Sequence, residues 1–456
     1  MSIRQHLPAD AAGDDTRLLH ALQPYLRPFE RADLADGLMP LLSTARLVLI
    51  GEASHGTHEF YLERARLTQR LITAHGCTAV VAEADWPDAL RVDRYVRGRS
   101  DDRTAEQALR GFERFPTWMW RNTVMVEFVE WLRHHNRGLP ASQQAGFYGM
   151  DLYSMYSSMR AVLDYLDRED PEAARRARAR YACFDHSSPE DSQAYGYGAA
   201  YGMRPSCEDE VIAQLAEMNR LAAAHLGSDT DEAFYAQQNA RLVRNAEEYY
   251  RTMFHGRISS WNQRDSHMVE TLAALDRHLQ ATRGTPPRMA VLAHNSHLGD
   301  ASATEMGDRG EWNVGQLARD RWGRDALLVG LTTSHGTVTA ASEWDAPGER
   351  KRVRDALAGS FEDLFRRAGH GRFWLPLRDR PEVAQLLREQ RLQRAIGVIY
   401  LPATERRSHY FHASLPRQFD AVLHIDRTHA LRPLAPEPVW HEGESGEPPE
   451  TYPTGL

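Results

Sequence analysis

Lysine is almost missing from this chain of 456 residues: among 55 lysines and arginines, Lys351 is the single lysine. It lies in ERKRVRD, outside any G-x-x-x-x-G-K-[ST] context, which argues against a phosphate-cradling P-loop and against a Schiff-base lysine in the core. Cysteine is scarce as well. Cys77, Cys183 and Cys207 are far apart, odd in number and nowhere in a C-x-x-C arrangement, so neither a disulfide framework nor a thiolate zinc site is expected and each reads as a free thiol. No run approaches the roughly eighteen consecutive apolar residues of a membrane helix, and the first fifteen residues hold no apolar signal region. A cytoplasmic location without membrane partners is therefore expected. Positive charge is not in excess either: the net charge is -8 and the pI about 6.2, which argues against a dedicated nucleic-acid binder.

What the chain does contain is a series of short, near-continuous apolar runs bounded by turn or helix signals. They are 46–51 (RLVLIG), 78–82 (TAVVA), 146–150 (GFYGM), 288–293 (RMAVLA), 326–332 (ALLVGLT), 395–401 (AIGVIYL) and 421–425 (AVLHI). Such runs read as buried strands, and long helical patterns separate most of them. The alternation predicts an α/β fold with a mostly parallel central sheet flanked by helices. Residues from about 153 to 280 are different, rich in Ala, Arg, Glu and Leu at helical spacing, and read as a helical insertion. Within it, residues 187–205 read as a Gly-, Ser- and Tyr-rich loop, either over a pocket or as a plain surface linker. Residues 333–341 suggest a hairpin turning at His335-Gly336. Residues 1–432 are expected to form a single catalytic domain, followed at 433–456 by a Pro- and Glu-rich tail that is extended or disordered.

The residues that follow the strands carry the functional signal. RLVLIG runs into Glu52 and His55, TAVVA into Glu83 and Asp85, GFYGM into Asp151, and RMAVLA into His294 and His297. Open α/β sheets bind ligands beyond the carboxyl ends of their strands, so four segments would bring acids and imidazoles to one rim. A lone strand-end carboxylate can be a helix cap, and Asp85 and Asp151 keep that reading open. Taken together, Glu52, His55, Glu83, His294 and His297 favour a functional one. In GEASHGTHEF, Gly51 and Gly56 allow tight backbone. Arg64, about two turns into the next helix, either reaches the site as a cation or pairs locally with Glu59 or Glu63. Asp85, Trp86, Trp120 and Asp151 are the candidates for substrate binding, with a packed aromatic corner as the alternative for FPTWMWRN at 115–122.

At these residues the sequence resembles the erythromycin esterase family of macrolide-inactivating hydrolases. The resemblance rests on GEASHGTHEF, EADWPDA, FYGMDLYS, AHNSHLGDA, SEWDAP and ERRSHYFHASLPRQFDAVLHID, spread from about Leu47 to Asp426. It implies an essential histidine, the general base for water, at His55, paired acidic residues at Glu52 and Glu83, an arginine at Arg64, and a later histidine at His294 with His297 beside it. It also implies lactone opening without an acyl-enzyme; the resemblance does not decide metal dependence, and no cofactor is expected.

The expected chemistry is hydrolysis of a small-molecule ester or lactone. A histidine near its unperturbed pKa of about 6.5 can take a proton from water, and a carboxylate can orient its ring. Arg64 and a histidine of the 294/297 pair are candidate donors to the oxyanion. Three alternatives stay open. Glu52, His55, Glu83 and His294 could hold a divalent ion. Ser54 could be a nucleophile, although E-A-S-H-G lacks the first glycine of G-x-S-x-G. The same cleft could bind a metabolite without turning it over.

Overall fold

The structure, a computed structural model, describes residues 9–30, 34–185, 192–224, 230–254 and 256–445. Its strands, in chain order, are β1 Arg27–Pro28, β2 Leu47–Ile50, β3 Cys77–Asp85, β4 Gly146–Asp151, β5 Arg288–Leu292, β6 Ala326–Thr332, β7 His335–Ala340, β8 Glu349–Val353, β9 Arg372–Pro376, β10 Arg391–Arg394, β11 Tyr410–Ala413, β12 Ala421–Ile425 and β13 Arg427–Thr428. Eight of them form the central sheet in the order β1-β9-β12-β6-β2-β5-β3-β4. From β12 to β4 every pairing is parallel; β9 and β1 close the other edge antiparallel.

Both faces of this sheet are covered, which explains why its strands are apolar throughout rather than alternating. Leu47 and Leu49 of β2 enter one core and Val48 and Ile50 the other, and Ala79/Val81 and Val80/Ala82 of β3 divide the same way. One core takes in the helices Met155–Glu169, Thr230–Thr252 and Arg257–Arg283; the other takes in His58–His75, Trp86–Val96 and Thr123–Asn136. Between Asp151 and Arg288 the described residues contain helices and no strand. No helix of the described residues is long and apolar enough to cross a membrane.

Five local expectations are corrected. The run 395–401 is not a strand: β10 precedes it, and Ile396 and Ile399 make only isolated bridges to Ser54 and Ala341. Ile396 and Tyr400 are buried outside the sheet, Val398 and Ile399 are half-buried on the wall of a cavity, and Leu401 is exposed. Residues 335–340 form one strand, β7, paired with β8, and Gly336 is required because a Cβ there would lie 1.9 Å from the Thr428 carbonyl. Part of the expected loop at 187–205 is the helix Ser192–Ala200, and part of the expected tail is the helix Pro438–Ser445, whose Trp440 is buried. Finally, Cys183 and Cys207 are disulfide-bonded, with Cα atoms 5.9 Å apart, and only Cys77 is a free thiol.

Candidate active site

The carboxyl ends of β2, β5, β3 and β4 are adjacent in the sheet, so the segments that follow them meet at one rim. After β2 the chain turns through residues 51–57 before the helix His58–His75 begins. Gly51 and Gly56 are needed there for close approach. A Cβ at Gly51 would meet Asn295 Oδ1 at 2.1 Å, and one at Gly56 would meet the Thr339 carbonyl at 1.7 Å. The turn places His55 Nδ1 3.1 Å from Glu52 Oε1, while Arg64 Nη2 lies 2.7 Å from Glu52 Oε2. All three residues are buried. Arg64 therefore acts behind Glu52: it is absent from the cavity wall and stacks over Tyr61, 4.4 Å from the ring centre. The local partners considered for it are occupied elsewhere, Glu59 by His429 and Glu63 by Arg66 and Arg372.

His294 faces His55, with ring centres 4.8 Å apart. The backbone N–H of Ser296 donates to His294 Nδ1, so the proton of the neutral ring sits on Nε2. Burial, reinforced by His55, holds His294 well below the usual histidine range, against the pull of Glu83 and the Ala53 carbonyl. His294 is thus a neutral donor. For His55 the polarity is opposite: Nδ1–H faces a carboxylate and Nε2 is the acceptor.

Glu83 ends a stretch of β3 that runs on past the expected Ala82 to Asp85, with an irregular register between Ala82 and Asp85. Such irregularities re-aim side chains next to sites. Its Oε1 is 2.7 Å from Arg264 Nη2 and 3.3 Å from His297 Nε2, and its Oε2 accepts the His294 N–H at 2.9 Å. Burial raises the Glu83 pKa, but His297, His55, Arg264 and that N–H together hold it far below the carboxylate range. His297 Nδ1 meets both oxygens of Asp265, at 2.9 and 3.0 Å, and its ring stacks on Trp261. Burial lowers the His297 pKa, and Asp265 and Glu83 more than reverse that. Arg264 also grips Asp151 through Nε and Nη2, at 2.9 and 2.7 Å. Asp85 is held by Arg114 in the same two-pronged way, at 2.9 and 3.0 Å. Asp85 occupies the N-cap position of the helix Trp86–Val96 but its side chain makes no capping hydrogen bond, and Asp151 is not at a helix start, the next helix being preceded by Ser154. Tyr153 lies between the two guanidiniums, each 4.8 Å from its ring centre.

These groups form one end of a cavity of about 1000 Å³. His55, Glu83, Asp85, Trp120, Asp151, His294 and His297 line it. Trp86 does not. It is buried against Tyr148, Phe234 and Tyr235, so it is a core residue and not a substrate-binding one. Ser54 does not line the cavity either, and its hydroxyl is hydrogen-bonded to that of Thr57. Among the described residues no group of three or more His, Cys, Asp or Glu is arranged to hold a metal ion. Arg264, Asp265, Arg114, Tyr153 and Trp261 were not among the residues singled out in the sequence. The signal for the first two is a pair of charges on an otherwise apolar helical stripe, Arg264 and Asp265 preceding Met268, Leu272 and Leu275.

The sequence profile of the family described as Erythromycin esterase matches residues 72–428. The chain belongs to the erythromycin esterase family. Erythromycin esterase type II of Escherichia coli is 21% identical over 429 residues, covering 88% of this chain and 94% of that protein. Among solved structures, a Bacillus cereus protein superposes with a TM-score of 0.73 at 19% identity, covering 92% of this chain and 99% of its own. A succinoglycan biosynthesis protein gives 0.71 at 19% identity, covering 92% and 98%. A mutant of the erythromycin esterase EreC in its open conformation gives 0.61 at 15% identity, again covering 92% and 98%. As a member of this family the protein is a hydrolase of esterase-like fold, with buried histidine and glutamate clusters at the strand ends.

Proposed function

We propose that the protein cleaves a carboxylic ester or lactone of a small molecule, in the manner of a macrolide esterase, by water attack assisted by His55. One observation carries this reading: two histidines of opposite hydrogen-bond polarity face each other on the cavity wall, His55 with its proton toward Glu52 and His294 with a donor Nε2–H. In the first step His55 Nε2 accepts a proton from water as the water oxygen bonds to the carbonyl carbon. Glu52, steadied by Arg64, stabilises the imidazolium. His294 Nε2–H donates to the developing oxyanion. In the second step the C–O bond breaks and the imidazolium returns its proton to the leaving alkoxide. Glu83, His297 and Arg264 fix the His294 segment and act as positioning residues. Residues 1–432 are read as one catalytic domain.

The test is a panel of aryl esters, lactones and macrolides assayed with the wild type and His55→Ala. The expected loss of kcat/KM is about a hundred- to ten-thousand-fold, with an unchanged Tm. Normal turnover by the variant would overturn the assignment. Saturable binding without turnover by the wild type would make the protein a binding module. Activity abolished by chelation and restored by one divalent ion would replace the metal-free mechanism.

A further inference from the structure

The charges lining the cavity are matched almost throughout. Arg264 is held by Glu83 and Asp151, Arg114 by Asp85, and His297 by Asp265 and Glu83. Arg309 has Glu305 at 3.8 Å. Glu311 also lines this cavity and is buried, beside a small adjoining cavity of about 10 Å³ that Asn313 and Gln418 line as well. Arg407 breaks the pattern. It sits on the short helix Glu405–Ser408, is exposed, lines the cavity together with Ser408 and His409, and has no ion pair or hydrogen bond among the described residues. The fold brings Arg309 to the same region: Thr304, which caps the helix Glu305–Asp308, bridges to Ala413 of β11, and β11 follows the Arg407 helix directly. The wall around the rest of the cavity is apolar and aromatic, with Phe115, Trp120, Trp344, Val398 and Phe411.

We infer that the substrate is an amphiphilic ester carrying a carboxylate, and that Arg407 selects it by pairing with that group while the apolar body lies along the aromatic wall. Arg114, Arg264 and Arg309 each have a carboxylate partner on the cavity wall, whereas Arg407 has none among the described residues and is free to meet one from a ligand. A single unpaired guanidinium suits a single negative charge, and its planar donors fit a carboxylate. This inference rests on the esterase reading of the same cavity, so its test must be able to fail separately.

The probes are 4-nitrophenyl hydrogen adipate and its uncharged methyl ester. The wild type is expected to favour the acid by about tenfold in kcat/KM, with the preference shrinking in high salt. Arg407→Ala should abolish the preference through KM, leaving kcat and the uncharged ester unaffected. Arg406→Ala removes the same charge from the same exposed helix but lies off the cavity wall, so it should keep the preference. An unchanged ratio in Arg407→Ala, or an equal loss in Arg406→Ala, would overturn the inference. If neither ester is turned over, the hydrolytic reading alone fails. Selectivity is then measured as binding of octyl hydrogen adipate against octyl methyl adipate, by quenching of the cavity tryptophans, with the same two variants and the same deciding outcomes.

Discussion

His294 and His55 are the same residue type with opposite hydrogen-bond polarity, and the cause is what each Nδ1 meets: the N–H and hydroxyl of Ser296 for His294, the Glu52 carboxylate for His55. A backbone N–H on Nδ1 makes His294 a donor at Nε2, while a carboxylate at Nδ1 makes His55 an acceptor. His294→Phe preserves the ring shape and removes the donor. It should lower kcat by about a hundred- to a thousandfold with little change in KM, the size of losing one oxyanion donor. It should also reduce stability by roughly 1 kcal/mol, because the Ser296 N–H loses the side chain that caps it. A rise in KM at constant kcat would instead make His294 a ground-state binding residue. Trp86 should behave in the reverse way. Fully packed between aromatic rings and off the cavity wall, Trp86→Ala should cost about 3–5 kcal/mol in urea unfolding while the KM of the folded fraction stays at the wild-type value.

At the scale of elements, the sheet was legible because its strands are buried on both faces and so read as unbroken apolar runs; six of the seven expected runs are strands of the sheet. The run 395–401 misled because burial against loops and a cavity wall selects the same residues as burial in a sheet. The strand-end acids and histidines were legible because chain order alone puts them at strand ends. Their partners were not, since Arg264 reaches Glu83 across 181 residues and Asp151 across 113, and helical periodicity says nothing about which distant carboxylate a buried arginine meets. The helix Arg257–Arg283 that supplies Arg264 is anchored by His267. This buried ring takes a hydrogen bond from Asn245 of the helix Thr230–Thr252 and contacts the Asp151 backbone. Burial drives its pKa down to about 3. As pH falls below the unfolded value of about 6.5, the unfolded chain takes up a proton that the folded ring refuses, so stability declines over that window toward pH 3. His267→Gln should flatten this acid slope by up to about 1.4 kcal/mol per pH unit between roughly pH 6 and pH 4. Urea unfolding at a series of pH values checks this, and an unchanged slope would show that His267 is not the group responsible.

On the scale of the whole molecule, the cavity is assembled from parts of the chain that share no local sequence signal: the strand ends, the helix carrying Trp261 and Arg264, the Glu305–Glu311 region and residues 395–411. The C-terminal helix Pro438–Ser445 belongs to this assembly although it touches none of the reacting groups. Trp440 Nε1 donates to Thr339 Oγ1 at 2.9 Å, and the Thr339 N–H donates to the Gly56 carbonyl at 2.9 Å. Gly56 directly follows His55, and its carbonyl also accepts the Leu431 N–H at 2.8 Å. The C-terminal helix therefore holds the turn that carries His55. A displacement of about 1 Å at a reacting group can lower turnover about a hundredfold, so this brace has a kinetic consequence as well as a stabilising one. Trp440→Ala should reduce stability by roughly 3 kcal/mol and lower kcat, while leaving the Arg407-dependent preference for the anionic ester intact because neither Trp440 nor Thr339 lines the cavity beside Arg407. Trp440→Phe separates the two contributions: it keeps most of the apolar packing and loses the hydrogen bond. If the brace acts through Thr339, Trp440→Phe should lose much of the kcat and little of the Tm. Parallel losses of kcat and Tm in both variants would mean that the helix contributes packing alone.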